Sequence, residues 1–240
     1  MPNSGLQEAN NTFIIMLNKH LLTTIVISFF LVSCGGDEPA GGENNNTTKL
    51  YQYVDLGLPS GTLWAIMNAG ASKPEELGTL FAWGETSPKQ VYEWDNYKWC
   101  KIDGFNLTKY CYNSSYGITD FITELAPADD AAYVNWGSSW RMPRKEQIEE
   151  LISYCTWQWT TLNGVKGFLV SSKNNSNSMF LPTDGEGAFY WTRNLDSSDP
   201  DKANNLVILD FPELHYTHKQ LSSSNRYIGS YVRAVRVASN

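Results

Sequence analysis

Hydrophobic positions recur with a helical period in one strong run and with a strand period in several short ones. In Asn135–Cys155, NWGSSWRMPRKEQIEELISYC, Ile148, Leu151, Ile152 and Cys155 fall at i, i+3, i+4 and i+7. That spacing lays one apolar stripe along a helix and leaves Lys145, Glu146, Glu149 and Glu150 to water. Pro143 suits the first helical turn, where its missing N–H has no intrahelical partner to lose. Trp136 and Trp140 lead into this helix, each able to bury roughly 150–250 Å². The stretch is expected to nucleate the core, and Trp140 is assigned to structure.

Shorter alternations predict strands. Tyr51–Leu58 and Thr62–Ala69 flank Pro59-Ser60-Gly61, a hairpin signal. Thr79–Gly84 is a short apolar strand with Phe81 and Trp83 on one face, and Gln90–Tyr116 has no clean period and is expected as a long loop. Asp129 and Asp130 can cap a short helix running through Val134. Thr156–Thr161 sets Trp157 and Trp159 on one face, Asn163-Gly164 makes a tight turn, and Val165–Ser171 returns. Met179–Pro182, Phe189–Arg193, Asn205–Phe211 and Ser230–Val237 complete the strands. Leu206–Phe211 is apolar on both faces and is expected to be central.

The N-terminal region has a different character. Residues 1–33 are expected to be a signal peptide whose true start is Met16. Lys19 lies in a short n-region, and the apolar run Leu21–Val32 is about 12 residues, short of the roughly 20 that span a bilayer. The junction Leu31-Val32-Ser33-Cys34 resembles the bacterial lipobox, which makes Cys34 the lipidated first residue of the mature protein. An ordinary signal peptide with an incidental cysteine, or a short buried helix, are the alternatives. Residues 34–49 then form a flexible tether rich in Gly and Asn, unable to bury enough apolar surface to order itself. Its Asp37 and Glu38 resemble the surface-export signals of Bacteroidetes lipoproteins. Residues 50–240, some 190 residues, fit one domain.

Charge narrows the partners. The formal net charge is −7, and the 18 basic residues are spread along the chain without a cluster. That argues against nucleic acid, whose binding depends on neutralising phosphates. With Cys34 lipidated, Cys100, Cys111 and Cys155 remain. Cys100 and Cys111 can pair in an oxidising envelope, and Cys155 is expected as a buried thiol. No CxxC pattern points to zinc, and no cofactor is expected.

Five phrases carry a family resemblance: VDLGLPSGTLWA at 54–65, FAWGE at 81–85, PADDAA at 127–132, WGSSWRMP at 136–143 and YVRAVR at 231–236. In this order the chain resembles the Fibrobacter-type major paralogous domain of Bacteroidetes surface lipoproteins. The resemblance implies an α+β, C-type-lectin-like domain of the formylglycine-generating-enzyme variety. Small antiparallel sheets, a few helices, long loops and paired N- and C-terminal strands are expected from it. Arg144 departs from the pattern, since relatives carry Thr or Ser there as helix cap; the cap must come from elsewhere or be weak. The cysteine-oxidising enzymes of this group use cysteines near the domain's end, and none follows Cys155. Calcium-dependent lectins use two short triplets; Trp94-Asp95-Asn96 resembles only the second, in the wrong order.

His215 and His218 could chelate a metal on a helix, but their surroundings read as strand or loop and no third ligand is evident. No nucleophile elbow, zincin motif or phosphate loop occurs. Glu213–Tyr231, ELHYTHKQLSSSNRYIGSY, mixes Tyr, Ser, Asn, His and Arg much as antibody paratopes do. His215, Tyr216, His218, Arg226 and Tyr227 are therefore the expected ligand contacts, on a loop beside a strand in which Arg233 and Arg236 serve structure. The function expected is a non-enzymatic binding module for a glycan or protein at the outer membrane surface, held by its lipid. A structural or fimbria-associated subunit is the alternative, and a degenerate relative of sulfatase-modifying enzymes the third.

Overall fold

The computed structural model describes residues 52–101, 106–185, 187–211 and 216–237. The expected signal segment, Cys34, the tether and His215 lie outside the described residues. Among the described residues, nine strands form three separate antiparallel sheets of three strands each, accompanied by two α-helices, an α+β arrangement.

The first sheet joins the two ends of the domain. β1 (Tyr53–Asp55) and β2 (Thr62–Ala65) form the hairpin expected around Pro59-Ser60-Gly61, and β2 pairs on its other side with β9 (Val235–Val237). All four residues of β2 are buried, which is why its sequence TLWA shows no alternation.

Helix α1 (Ala131–Trp136) starts where Asp130 accepts from the amides of Ala132 and Tyr133, at 2.9 and 3.1 Å. Helix α2 (Lys145–Tyr154) packs Ile148 and Leu151 into the core, as the apolar stripe predicts. Its cap does come from elsewhere: Asn194 Oδ1 accepts from Lys145 N–H at 2.9 Å, and Gln147 Oε1 from Arg144 N–H at 2.8 Å. The helix ends one residue short of the expected stripe. Lys173 occupies its last carbonyls, donating from its backbone to Tyr154 O and from Nζ to Ser153 O, and Cys155 opens a strand instead. Cys155 is nonetheless buried, and burial pushes its thiol up to about 11 against the pull of Lys173.

That strand, β3 (Cys155–Leu162), pairs in continuous register with β4 (Val165–Ser172), which pairs with β5 (Ser178–Pro182). Asn163 and Gly164 both take positive φ, 48° and 86°, the primed turn whose twist matches a two-residue hairpin. Trp157 and Trp159 meet Phe168 edge-on, at 5.7 and 5.0 Å between ring centroids.

In the third sheet β7 (Lys202–Phe211) is central, between β6 (Gly187–Leu195) and β8 (Tyr216–Asn225). The central position of Leu206–Phe211 follows its two apolar faces. β8 replaces the exposed loop expected across Glu213–Tyr231: ten residues, Tyr216 to Asn225, pair with β7. Thr79–Gly84 forms no strand among the described residues; only Phe81 bridges, to Ser230. Phe81 and Trp83 are buried, with Trp191 Nε1 donating to Phe81 O at 2.8 Å and Trp83 Nε1 to Thr192 O at 2.9 Å. Cys100 and Cys111 are not joined by a disulfide.

Candidate functional site

The WGSSWRMP phrase turns tightly, Trp140 N–H donating to Gly137 O at 3.0 Å, and is then sewn to the C-terminal strand. Arg141 and Val235 exchange two backbone hydrogen bonds, Arg141 N–H to Val235 O at 2.9 Å and Val235 N–H to Arg141 O at 2.8 Å. This stitching opens a cleft of about 320 Å³, at the small end of ligand sites. Ser138, Ser139, Arg141, Gln147, Arg193 and Arg236 line it, over a floor that includes Val235. The two serines are exposed and the arginines half-buried.

Each charged wall is fixed by its own element. Arg141 Nε–H donates to the buried Asp130 at 2.8 Å and its Nη2 to Leu125 O at 2.8 Å. Arg193 comes from β6, whose backbone is pinned by donation from Arg193 N–H to Pro143 O at 2.9 Å. Its Nε lies 2.6 Å from Glu124 Oε1, too far off the N–H direction to form a hydrogen bond. Arg144 shares that same carboxylate at 3.2 Å. Arg236 lies against the rings of Tyr53 and Trp140, at 5.1 and 5.8 Å from their centroids. Its Nε is buried without an acceptor, and no carboxylate pairs with it among the described residues. Gln147 Nε2 donates to Thr62 Oγ1 at 2.7 Å, so its amide orientation is already set.

Among the described residues, the three arginines lining the cleft and Arg144 beside it meet two carboxylates, Asp130 and Glu124, on a chain that is acidic as a whole. The imbalance registers at Arg193. Burial lowers its pKa, Glu124 opposes, and the neighbouring Arg141 and Arg144 lower it further. An open cleft with excess fixed positive charge suits an anionic group.

The residues expected from the sequence do not assemble into one surface. Arg226 is fully buried, which removes it as a ligand contact. Its guanidinium donates to Tyr97 Oη and to the carbonyls of Tyr110, Pro200 and Lys109, all at 3.0–3.1 Å. The rings of Trp83 and Tyr97 stand beside it at 5.0 and 5.3 Å. Tyr216 is exposed and stacks on Phe211, its hydroxyl 3.1 Å from His218 Nδ1. Tyr227 sits beyond the other end of β8, tilted on Trp94 at 4.9 Å. The length of β8, nine steps from Tyr216 to Asn225, and then a turn separate the two tyrosines, with the strand alone spanning about 30 Å. Arg233 is buried and structural as expected, donating to Asn68 Oδ1, Ala65 O and Phe180 O. Arg236 instead faces the cleft, a role its valine-rich strand concealed.

Two further polar centres brace the frame. Asp129 holds Lys98, Lys109 and the Tyr110 hydroxyl at 3.1, 2.6 and 2.7 Å. Asp130 takes the α1 amides, the Met142 amide and Arg141. Among the described residues no three His, Cys, Asp or Glu side chains converge as metal ligands. No family model, curated protein or solved structure matches the chain.

Proposed function

We propose that this chain is an outer-membrane lipoprotein, anchored through Cys34, whose C-type-lectin-like domain is a non-enzymatic binding module for a glycan or protein ligand. One observation carries the reading: an open cleft whose side chains are held in place by contacts that need no ligand. Asp130 and Leu125 O anchor Arg141, Thr62 anchors Gln147, and two aromatic rings support Arg236. Preorganisation of this kind lowers the entropic cost of association. The pairing of β2 with β9 agrees with the joined chain ends expected of a C-type-lectin-like domain. The lipobox-like junction before Cys34 supports the anchor.

The full chain, expressed in a Gram-negative host, is expected in the outer-membrane fraction, and Cys34→Ala is expected to leave it. Detergent-extracted protein on an array of glycans and peptides is expected to retain a defined subset. A blank array overturns the binding reading, and unaltered sedimentation of Cys34→Ala overturns the anchor.

A further inference from the structure

Building on the binding reading, we infer that the cleft lined by Ser138, Ser139, Arg141, Gln147, Arg193 and Arg236 receives an acidic sugar, holding its carboxylate or sulfate ester on the guanidinium groups. The charge balance is the first ground. Asp130 engages Arg141 through Nε, and Glu124 is divided between Arg193 and Arg144. Among the described residues no carboxylate pairs with Arg236, and its buried Nε has no hydrogen-bond acceptor, while Arg193 shares its one carboxylate with Arg144. A guanidinium presents five N–H donors in a planar fork, so Arg141 keeps donors to spare after Asp130 and Leu125 O are served. Three guanidinium groups that share two carboxylates keep charge and N–H donors to spare, and an oxyanion entering the cleft offers them charge-assisted acceptors.

The sugar follows from the remaining walls. Ser138 and Ser139 put two exposed hydroxyls beside the arginines, each able to donate to and accept from ring hydroxyls. An acidic peptide is the rival, and the backbone disfavours it. Extended peptides dock by adding to a free strand edge. Here β9 is paired along one side by Thr62, Leu63 and Trp64 of β2, and at the cleft its Val235 is already bridged to Arg141 on the other. A compact ligand with an acidic group and clustered hydroxyls fits these walls better than a strand does.

The test is calorimetric titration of the detergent-solubilised full chain. Its arms are glucuronate, galacturonate, N-acetylglucosamine 6-sulfate, glucose, galactose, inorganic sulfate and a glutamate-rich peptide. Acidic sugars are expected to bind, neutral sugars not, with affinity falling as salt rises. The uronates and the sulfated sugar separate a carboxylate from a sulfate site. Arg236→Gln is expected to weaken acidic-sugar binding about tenfold or more, the loss of one charge-assisted pair. Should Arg236→Gln fail to fold, Ser139→Ala, at an exposed position, carries the test through a smaller loss of sugar affinity. Sulfate binding as tightly as the sugars, or binding of the peptide alone, overturns the inference. So does glucose binding that ignores Arg236→Gln. If an array detects neutral glycans while every acidic sugar is silent here, the binding module stands and only this assignment falls.

Discussion

Arg226 Nε–H donates to the Tyr97 hydroxyl at 3.0 Å across 129 residues of chain. Tyr97 in turn donates to Trp83 O at 2.7 Å, and burial drives its own ionisation far out of reach. One guanidinium thereby ties the end of β8 to the aromatic loop and supplies donors to three loop carbonyls. Those carbonyls have no strand ladder to satisfy them, so the arginine does the work that a sheet would do elsewhere.

Arg226→Met should therefore behave as a core lesion. Leaving buried carbonyls without donors costs about 1–3 kcal/mol each, so a loss of about 3 kcal/mol or more is expected in urea unfolding. Tyr216→Ala, on the exposed end of the same strand, should stay within about 0.5 kcal/mol. Equal effects of the two would refute the structural role of Arg226.

The misassignment of Arg226 shows where sequence stops being informative. Residue type alone marks Tyr, Ser, Asn and Arg as contact-forming but gives no burial, and β8 lies at a sheet edge where alternation is weak. Its run Ser222-Ser223-Ser224 has the composition of a loop, yet each serine pairs with β7. Local signals fared better. The α2 stripe, the Asn163-Gly164 turn and the Asp130 cap were legible because each is decided within a few residues. The arginine cleft was not, since Ser138, Gln147, Arg193 and Arg236 come from four separate segments. Only the fold brings them together.

Trp140 was assigned to the core by its position before Pro143, and it is buried, edge-on to Trp136 at 5.2 Å. Trp140→Ala should cost about 3–5 kcal/mol in chemical unfolding, as large-to-small core changes do. Trp136, only half-buried, should cost less when truncated. Because Arg236 leans on the Trp140 ring, the alanine variant should also loosen the cleft. A fully stable Trp140→Ala protein would contradict the packing.

Asp129 gives the fold an acid limit. Its burial opposes ionisation, but hydrogen bonds from Lys109, Tyr110 and Lys98 outweigh that and hold its carboxyl below the ordinary value. A depressed folded pKa gives stability that is complete above the unfolded value, about 3.9, and is lost as pH falls through the folded one. The wild-type urea midpoint should drop on acidification below about pH 4. Asp129→Asn should be less stable at neutral pH and show a flatter acid limb. An unchanged acid limb in that variant would place the titration elsewhere.

Asp130 couples the frame to the cleft. One carboxylate, fully buried, caps α1 through Ala132 and Tyr133, receives the Met142 amide at 3.0 and 3.1 Å, and holds Arg141 at 2.8 Å. Removing one partner of a buried ion pair strands the other, at a cost of about 3–5 kcal/mol. Asp130→Asn should fall in that range, since an amide keeps one acceptor but loses the charge that Arg141 faces. Arg141→Gln alone should cost less, because the Ala132, Tyr133 and Met142 amides remain served. The double variant should be less destabilised than the sum of the two by more than about 0.5 kcal/mol, the usual margin for independent sites. Additivity within that margin, measured by urea unfolding, would mean that Leu125 O and the Val235 backbone hold Arg141 without help from Asp130. The cleft would then be independent of the helix cap.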